Sequence, residues 1–95
     1  MIKFKVTESE NISTVFLDGE IDMDVADNVR EVIFPLIDSG KEVHLNLKSV
    51  LYMDSSGISV LIESKKLSEE KKTKFELKEV SKPVEKVLAM ARKFL

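Results

Sequence analysis

The stretch Met53-Asp54-Ser55-Ser56-Gly57-Ile58 lies where the sequence changes from a strand pattern to a helix pattern. Residues 43–47 are predicted to form a buried strand, and a helix is predicted from residue 56 to about residue 67. A helix N-terminus offers free backbone N–H groups and a partial positive charge, so a serine there can hold a phosphate. The same residue types also make an ordinary tight turn and helix cap. The stretch alone therefore leaves a functional site and a plain turn as alternatives.

The residues before this stretch predict a hairpin followed by a helix. Residues 2–6 alternate apolar and polar side chains, and residues 12–17 are rich in β-branched and aromatic side chains, so the two form antiparallel strands that end at Asp18-Gly19. Asp22 or Asp24 is placed to cap the helix, Pro35 predicts a kink or an early last turn, and Gly40 is the expected left-handed cap. The apolar stripe of this helix consists of Val25, Val29, Val32, Ile33, Leu36 and Ile37.

The residues after the stretch complete an α/β pattern. The inner face of the second helix is predicted to carry Ile58, Leu61, Ile62 and the stem of Lys65. Residues 73–78 alternate again as a fourth strand, and a last helix begins near Ser81. The order β-β-α-β-α-β-α predicts a single domain with a mixed four-stranded sheet, an opening β-hairpin, three helices and right-handed crossovers.

Composition excludes several classes of function. The 95 residues are 43% hydrophobic and carry a net charge of −2, which fits one globular domain and argues against nucleic-acid binding. No apolar run approaches the ~18 residues of a membrane span and no signal peptide opens the chain, so we expect a cytoplasmic protein that does not enter the membrane. The absence of cysteine excludes disulfides and thiolate sites.

The single histidine, His44, is the only imidazole available for catalysis or metal binding. It alternates with Val43, Leu45 and Leu47 along the predicted third strand, so we expect it to be solvated or packed against a helix. No second ligand is evident beside it in the sequence, and we therefore predict no metal site at His44.

Two polar segments are expected to meet at one edge of the sheet. Residues 19–24 follow the second strand and residues 53–57 follow the third, and the carboxyl ends of parallel strands in such a sheet form the usual place for a site. The acidic first segment would then lie beside Ser55 and Ser56. This convergence favours a functional site over a plain turn.

The two segments together resemble the STAS family, and specifically the bacterial anti-sigma factor antagonists of sporulation and general stress signalling. The matching residues are Leu17-Asp18-Gly19-Glu20-Ile21-Asp22, Leu45-Asn46-Leu47 and Tyr52-Met53-Asp54-Ser55-Ser56-Gly57-Ile58, with agreement in spacing over essentially the whole chain, residues 1–95. The departures are Ser59 in place of a small glycine, Pro35 in the first helix, and the lack of a further C-terminal strand.

The resemblance implies a regulator of transcription that is not itself an enzyme. Ser55 would be phosphorylated by an anti-sigma factor that is an ATP-dependent serine kinase, and a metal-dependent serine phosphatase would reverse the modification. The unphosphorylated form would bind the kinase and free its sigma factor. The choice of Ser55 over Ser56 as phosphoacceptor rests on the resemblance alone, because the residues themselves do not distinguish the two. Ser56 is the better candidate for the helix cap. The expected partner-binding residues are Gly19, Glu20, Asp22, Asp24, Asp54, Ser55, Ser56, Gly57 and Ile58.

Four other functions fit the sequence less well than this one. A serine nucleophile would need a base, and His44 lies on a strand with no evident route to Ser55. A P-loop is excluded because the glycines and the lysine after Gly57 are missing. A STAS interaction module of a larger signalling scaffold or a transporter regulator keeps the fold, but the free-standing chain favours a diffusible antagonist. A purely structural dimerisation domain would leave the polar stretch unexplained.

Overall fold

The computed structural model describes residues 2–95 and has the predicted order of strands and helices. A short 3-10 turn, Arg92–Phe94, follows the last helix and was not predicted. The strands are β1 (Lys3–Glu8), β2 (Ile12–Ile21), β3 (Glu42–Met53) and β4 (Phe75–Lys78), and the helices are α1 (Ala26–Asp38), α2 (Ser55–Glu70) and α3 (Lys82–Leu88).

The four strands form one mixed sheet in the order β1-β2-β3-β4. The pair β1 and β2 is the antiparallel hairpin, whereas β3 runs parallel to both β2 and β4. The ends of β2 and β3 therefore point toward the same edge, as the sequence predicted. Among residues 2–95, no helix combines the length and the apolar character that crossing a membrane requires.

The core lies on one face of the sheet. Val43, Leu45 and Leu47 are fully buried, while His44 and Asn46 between them are only half-buried. This alternation means that the opposite face of the central strands is partly open to solvent. The buried cluster also includes side chains of all three helices, among them Val29, Ile33 and Ile37 of α1, Val60 and Leu61 of α2, and Val84 and Leu88 of α3.

Helix α1 continues past its internal proline. Pro35 lies inside the helix, which ends at Asp38, and the Pro35 carbonyl still accepts a hydrogen bond from the Ser39 N–H at 3.0 Å. Of the two predicted effects of Pro35, the early last turn is therefore wrong, and the kink stays a prediction. Gly40 has a φ of 88°, which confirms the predicted left-handed residue after the helix.

The inner face of α2 differs from the prediction. Leu61 is buried as expected, but Ile58, Ile62 and Lys65 are half-buried, and the other buried positions are Gly57, Val60, Ser64 and Ser68. The two serines satisfy their hydroxyls within the helix: Ser64 donates to the Val60 carbonyl and Ser68 to the Lys65 carbonyl, each at 2.7 Å. Apolar periodicity missed this face because small polar residues occupy part of it.

Candidate functional site

The ends of β2 and β3 bring the two predicted segments side by side. Ile21 is the register partner of Met53, and the Asp54 N–H donates to the Ile21 carbonyl at 3.2 Å. The acidic segment and the serine stretch are thus neighbours at the carboxyl edge, as predicted. Both strands run further than expected, however, since their pairing continues to Ile21 and Met53. The register of this pairing shifts between Phe16 and Asp18 and again between Gly19 and Glu20. Gly19, with a φ of 120°, lies in this irregular part of the strand rather than at its end.

The loop after β2 is ordered by Asp22. Its carboxylate accepts from the Asp24 N–H at 3.0 Å, and its carbonyl accepts from the Ala26 N–H at 3.0 Å. The formal N-cap of α1 is Val25, which has no capping side chain, so Asp22 organises the turn before the helix rather than capping the helix itself. Glu20 and Asp24 are left exposed, and they place two carboxylates at this edge.

Asp54 caps α2. Its carboxylate accepts from the Ser56 N–H at 2.9 Å and also from the Ser56 hydroxyl. The expectation that Ser56 caps this helix is therefore wrong, because the helix begins one residue earlier and its N-cap is Asp54. The hydrogen bond from the Ser56 hydroxyl is the largest cause that lowers the pKa of Asp54, and the backbone N–H groups of Ser56 and Gly57 add to it.

The two adjacent serines differ in what their hydroxyls do. The Ser56 hydroxyl is engaged by Asp54, and Ser56 is half-buried. Ser55 is exposed in the first turn of α2, and its hydroxyl has no hydrogen-bond partner among residues 2–95; only its carbonyl accepts, from the Ser59 hydroxyl at 3.0 Å. The structure thus separates two residues that the sequence could not.

Gly57 allows α2 to begin close to the strand ends. A Cβ built at Gly57 would lie 2.5 Å from Cγ of Met53 and 3.0 Å from Cγ2 of Ile21. Both neighbours are buried, so any larger residue would push the first turn of α2 away from the sheet. Ile58 beside it is half-buried and belongs to the fringe of the core.

Sequence reasoning missed the apolar part of this surface. Met23 is 78% exposed, Leu51 is 68% exposed and Tyr52 is 50% exposed. Met23 lies between the two loop aspartates, Leu51 lines a shallow pocket with Asp22 and Asp24, and Tyr52 is the register partner of Glu20. Exposed apolar side chains that are surrounded by charge are typical of protein–protein contact surfaces. The apolar run Val50–Met53 could have indicated these exposed residues. Successive residues of a strand face opposite sides, so a run of four apolar residues cannot be buried on one face alone.

The sequence profile of the STAS domain matches residues 3–94. The chain belongs to the STAS domain family. This finding confirms the family resemblance, and the observed sheet and helices confirm the predicted fold class.

Curated relatives of this STAS domain carry one name. An anti-sigma-B factor antagonist of Bacillus subtilis is 39% identical over 61 residues, which is 64% of this chain and 56% of that protein. One from Staphylococcus aureus is 27% identical over 62 residues, with 64% of this chain and 57% of that protein covered. The matched region thus spans little more than half the length of these relatives.

Solved structures share the fold at low sequence identity. An anti-sigma factor antagonist from Mycobacterium paratuberculosis superposes with a TM-score of 0.87 at 19% identity, over 98% of this chain and 80% of that one. The anti-sigma factor antagonist SpoIIAA in its unphosphorylated form gives a TM-score of 0.81 at 22% identity, over 95% of this chain and 81% of that one. At these identities the similarity establishes the fold.

Proposed function

We propose that this STAS domain is an anti-sigma factor antagonist whose binding to an anti-sigma factor is controlled by phosphorylation of Ser55. The names of its curated relatives support the class of function. The observation that carries the proposal of the site is the exposed, unengaged Ser55 hydroxyl at the N-terminus of α2. Ser56 is a poorer phosphoacceptor because its hydroxyl is held by Asp54.

The docking surface would combine the exposed apolar residues with the acidic segment. Met23, Leu51 and Tyr52 supply apolar area, and Glu20 and Asp24 supply negative charge around it. A partner that fits this surface has an apolar centre and basic residues at its rim, because unlike charges steer association and fix orientation. Of the nine residues predicted for partner binding, Gly57 is buried against the strand ends, and the other eight remain the proposed contact region.

Phosphorylation would act locally on this surface. A phosphoserine carries about −1.5 to −2 charges at pH 7, which would add to the Asp54 carboxylate next to it and to the acidic segment. The N-terminus of α2 favours the phosphate within this protein, so the fold need not change. A docked partner would have to desolvate the added charge at the interface, and that cost weakens binding.

The chemistry of this switch belongs to the partners. An anti-sigma factor serine kinase would bring ATP and its metal ion, and a metal-dependent serine phosphatase would remove the phosphate. This chain would act as substrate and binding partner, without a cofactor or a catalytic residue of its own.

The first test is the position of the phosphate. Incubation with ATP and the anti-sigma factor kinase of the source organism should add one phosphate, located on Ser55 by mass spectrometry. Ser55→Ala should abolish it, whereas Ser56→Ala should still be modified. Undiminished labelling of Ser55→Ala would contradict the assignment.

The second test is the effect of charge on binding, measured by calorimetry with the same anti-sigma factor. Ser55→Glu should remain folded and bind at least about 100-fold more weakly, which corresponds to about 2.7 kcal/mol. Ser9→Glu is the matched control, because it adds the same charge at an exposed position beside the β1–β2 turn, at the far end of the sheet. Equal affinities of the two variants would refute a local electrostatic switch.

A further inference from the structure

A second group of ligand-type side chains lies at the opposite end of β3 from Ser55. It consists of Glu42, His44 and Glu76, and one potential ligand atom of each lies within 4.8 Å of those of the other two. All three residues are half-buried. The prediction of no metal site overlooked Glu42, two residues before His44 on the same strand, and Glu76 comes from the adjacent strand, where the sequence gives no sign of it.

Strand pairing holds the three side chains together. Glu42 and His44 are two residues apart on β3 and so point to the same, partly open face of the sheet. Glu76 on β4 is the register partner of His44 in the parallel pair. Nε2 of His44 and Oε2 of Glu42 already share a hydrogen bond, so the imidazole is oriented toward the carboxylate. The backbone register, rather than a flexible loop, therefore sets the arrangement.

We propose that Glu42, His44 and Glu76 bind one Zn²⁺ ion. One imidazole nitrogen with two carboxylate oxygens is a ligand set that suits zinc, whereas Mg²⁺ and Ca²⁺ prefer oxygen ligands alone. Ligands of a tetrahedral zinc ion lie roughly 3.4 Å apart, since each is about 2.1 Å from the metal. To reach that value, the pair His44 Nε2 and Glu42 Oε2, now 2.5 Å apart, would open, and the wider separations, which are at most 4.8 Å, would close.

Binding would break one hydrogen bond of the cluster. A ligating imidazole nitrogen must present its lone pair to the metal, so Zn²⁺ would replace the hydrogen bond between His44 Nε2 and Glu42. The half-exposed position leaves room for water as a fourth ligand. Lys78 competes with the ion, since its Nζ lies 2.9 Å from Oε1 of Glu76. Zinc would also link β3 to β4, an edge strand of only four residues.

Calorimetric titration of the metal-free protein with ZnCl₂ tests the site. We expect one equivalent to bind, with affinity at least about tenfold weaker in His44→Ala and in Glu76→Gln, since even outer-shell changes cost 10–100-fold. Lys78→Gln should bind more tightly, because it removes the competing ammonium group. Glu10→Gln is the control, since it removes an exposed carboxylate outside the cluster without changing zinc affinity.

Hydrogen exchange gives a second readout that does not depend on affinity. Saturating Zn²⁺ should slow exchange of the amides in residues 75–78 in the wild type and leave them unchanged in His44→Ala. Circular dichroism confirms that each variant is folded. Failure to saturate at millimolar Zn²⁺, or equal affinity of wild type and His44→Ala, would overturn the proposal. Neither result tests the proposed role of Ser55, which lies beyond the opposite end of β3.

Discussion

Replacing Gly57 with alanine tests whether the start of α2 is seated by direct contact on the strand ends. The new methyl group would lie 2.5 Å from Cγ of Met53 and 3.0 Å from Cγ2 of Ile21. Met53 is 2% exposed and Ile21 is 1% exposed, so neither side chain can move into solvent without losing buried area. Cγ of Met53 is also close to the backbone, which limits how far a rotamer change can relieve the contact.

The expected loss of stability follows from two opposing terms. Inserting a methyl group into a well-packed core costs about 1–3 kcal/mol. Replacing glycine in a helix gains up to about 1 kcal/mol, and less in the first turn, where few helical hydrogen bonds have formed. We therefore expect Gly57→Ala to lower the free energy of unfolding by about 1–2 kcal/mol. For a domain of this size that corresponds to a fall in Tm of roughly 5–15 °C.

Urea unfolding followed by circular dichroism measures this loss as a lower midpoint with an unchanged slope. Ser59→Ala, an exposed position in the same helix, should change stability by less than about 0.5 kcal/mol. In a Met53→Ala background the main contact is gone, so Gly57→Ala should cost less there than in the wild type. A neutral Gly57→Ala, or an equal cost in both backgrounds, would refute the steric explanation.

Two further predictions concern the charged residues around α2. Asp54→Ala should destabilise the protein by about 1 kcal/mol at pH 7 through loss of the cap. The pKa of Asp54 is lower in the folded state than its ordinary value of 3.8. The ionised carboxylate therefore stabilises the fold above pH 3.8, and this stabilisation is lost as the pH falls through the pKa of the folded state. Urea midpoints of wild type and variant should therefore converge below about pH 4, and a constant gap would contradict the role of the ionised carboxylate. Arg30 joins α1 to α2 through two hydrogen bonds to Glu63, at 2.8 and 3.1 Å, so Arg30→Lys should cost about 0.5 kcal/mol at low salt. A double-mutant cycle with Glu63→Gln should show a coupling that shrinks in 1 M NaCl, and a salt-independent coupling would argue against an ion pair.

Local pattern was sufficient to predict the fold class. Alternation along residues 2–6 and 43–47 and the β-branched and aromatic side chains of residues 12–17 predicted strands. The apolar stripe of α1 predicted a helix, and its buried side chains include Val29, Ile33 and Ile37. These features depend on neighbours in the chain, because a strand repeats every two residues and a helix every 3.6. Parallel connection of the strands then placed both polar segments at one edge of the sheet.

Local sequence pattern did not predict the features that depend on contacts between residues distant in sequence. The pairing of β2 with β3 carries both strands past apparent turn residues, to Ile21 and Met53. The buried face of α2 includes Ser64 and Ser68, whose hydroxyls bond to the helix backbone and so tolerate burial. Neither outcome is visible in apolar periodicity, which considers only side-chain polarity.

The residues Asp54-Ser55-Ser56-Gly57 show the same division at the site. Their composition and position predict a helix start beside an acidic segment, and the family resemblance predicts that the stretch is phosphorylated. The difference between the serines emerges only in three dimensions, where Asp54 takes the cap and engages Ser56, leaving Ser55 exposed. The meeting of Glu42 and His44 with Glu76 likewise depends on the register of β3 against β4. Backbone pairing sets that register across some thirty residues of chain, and no local sequence pattern encodes it.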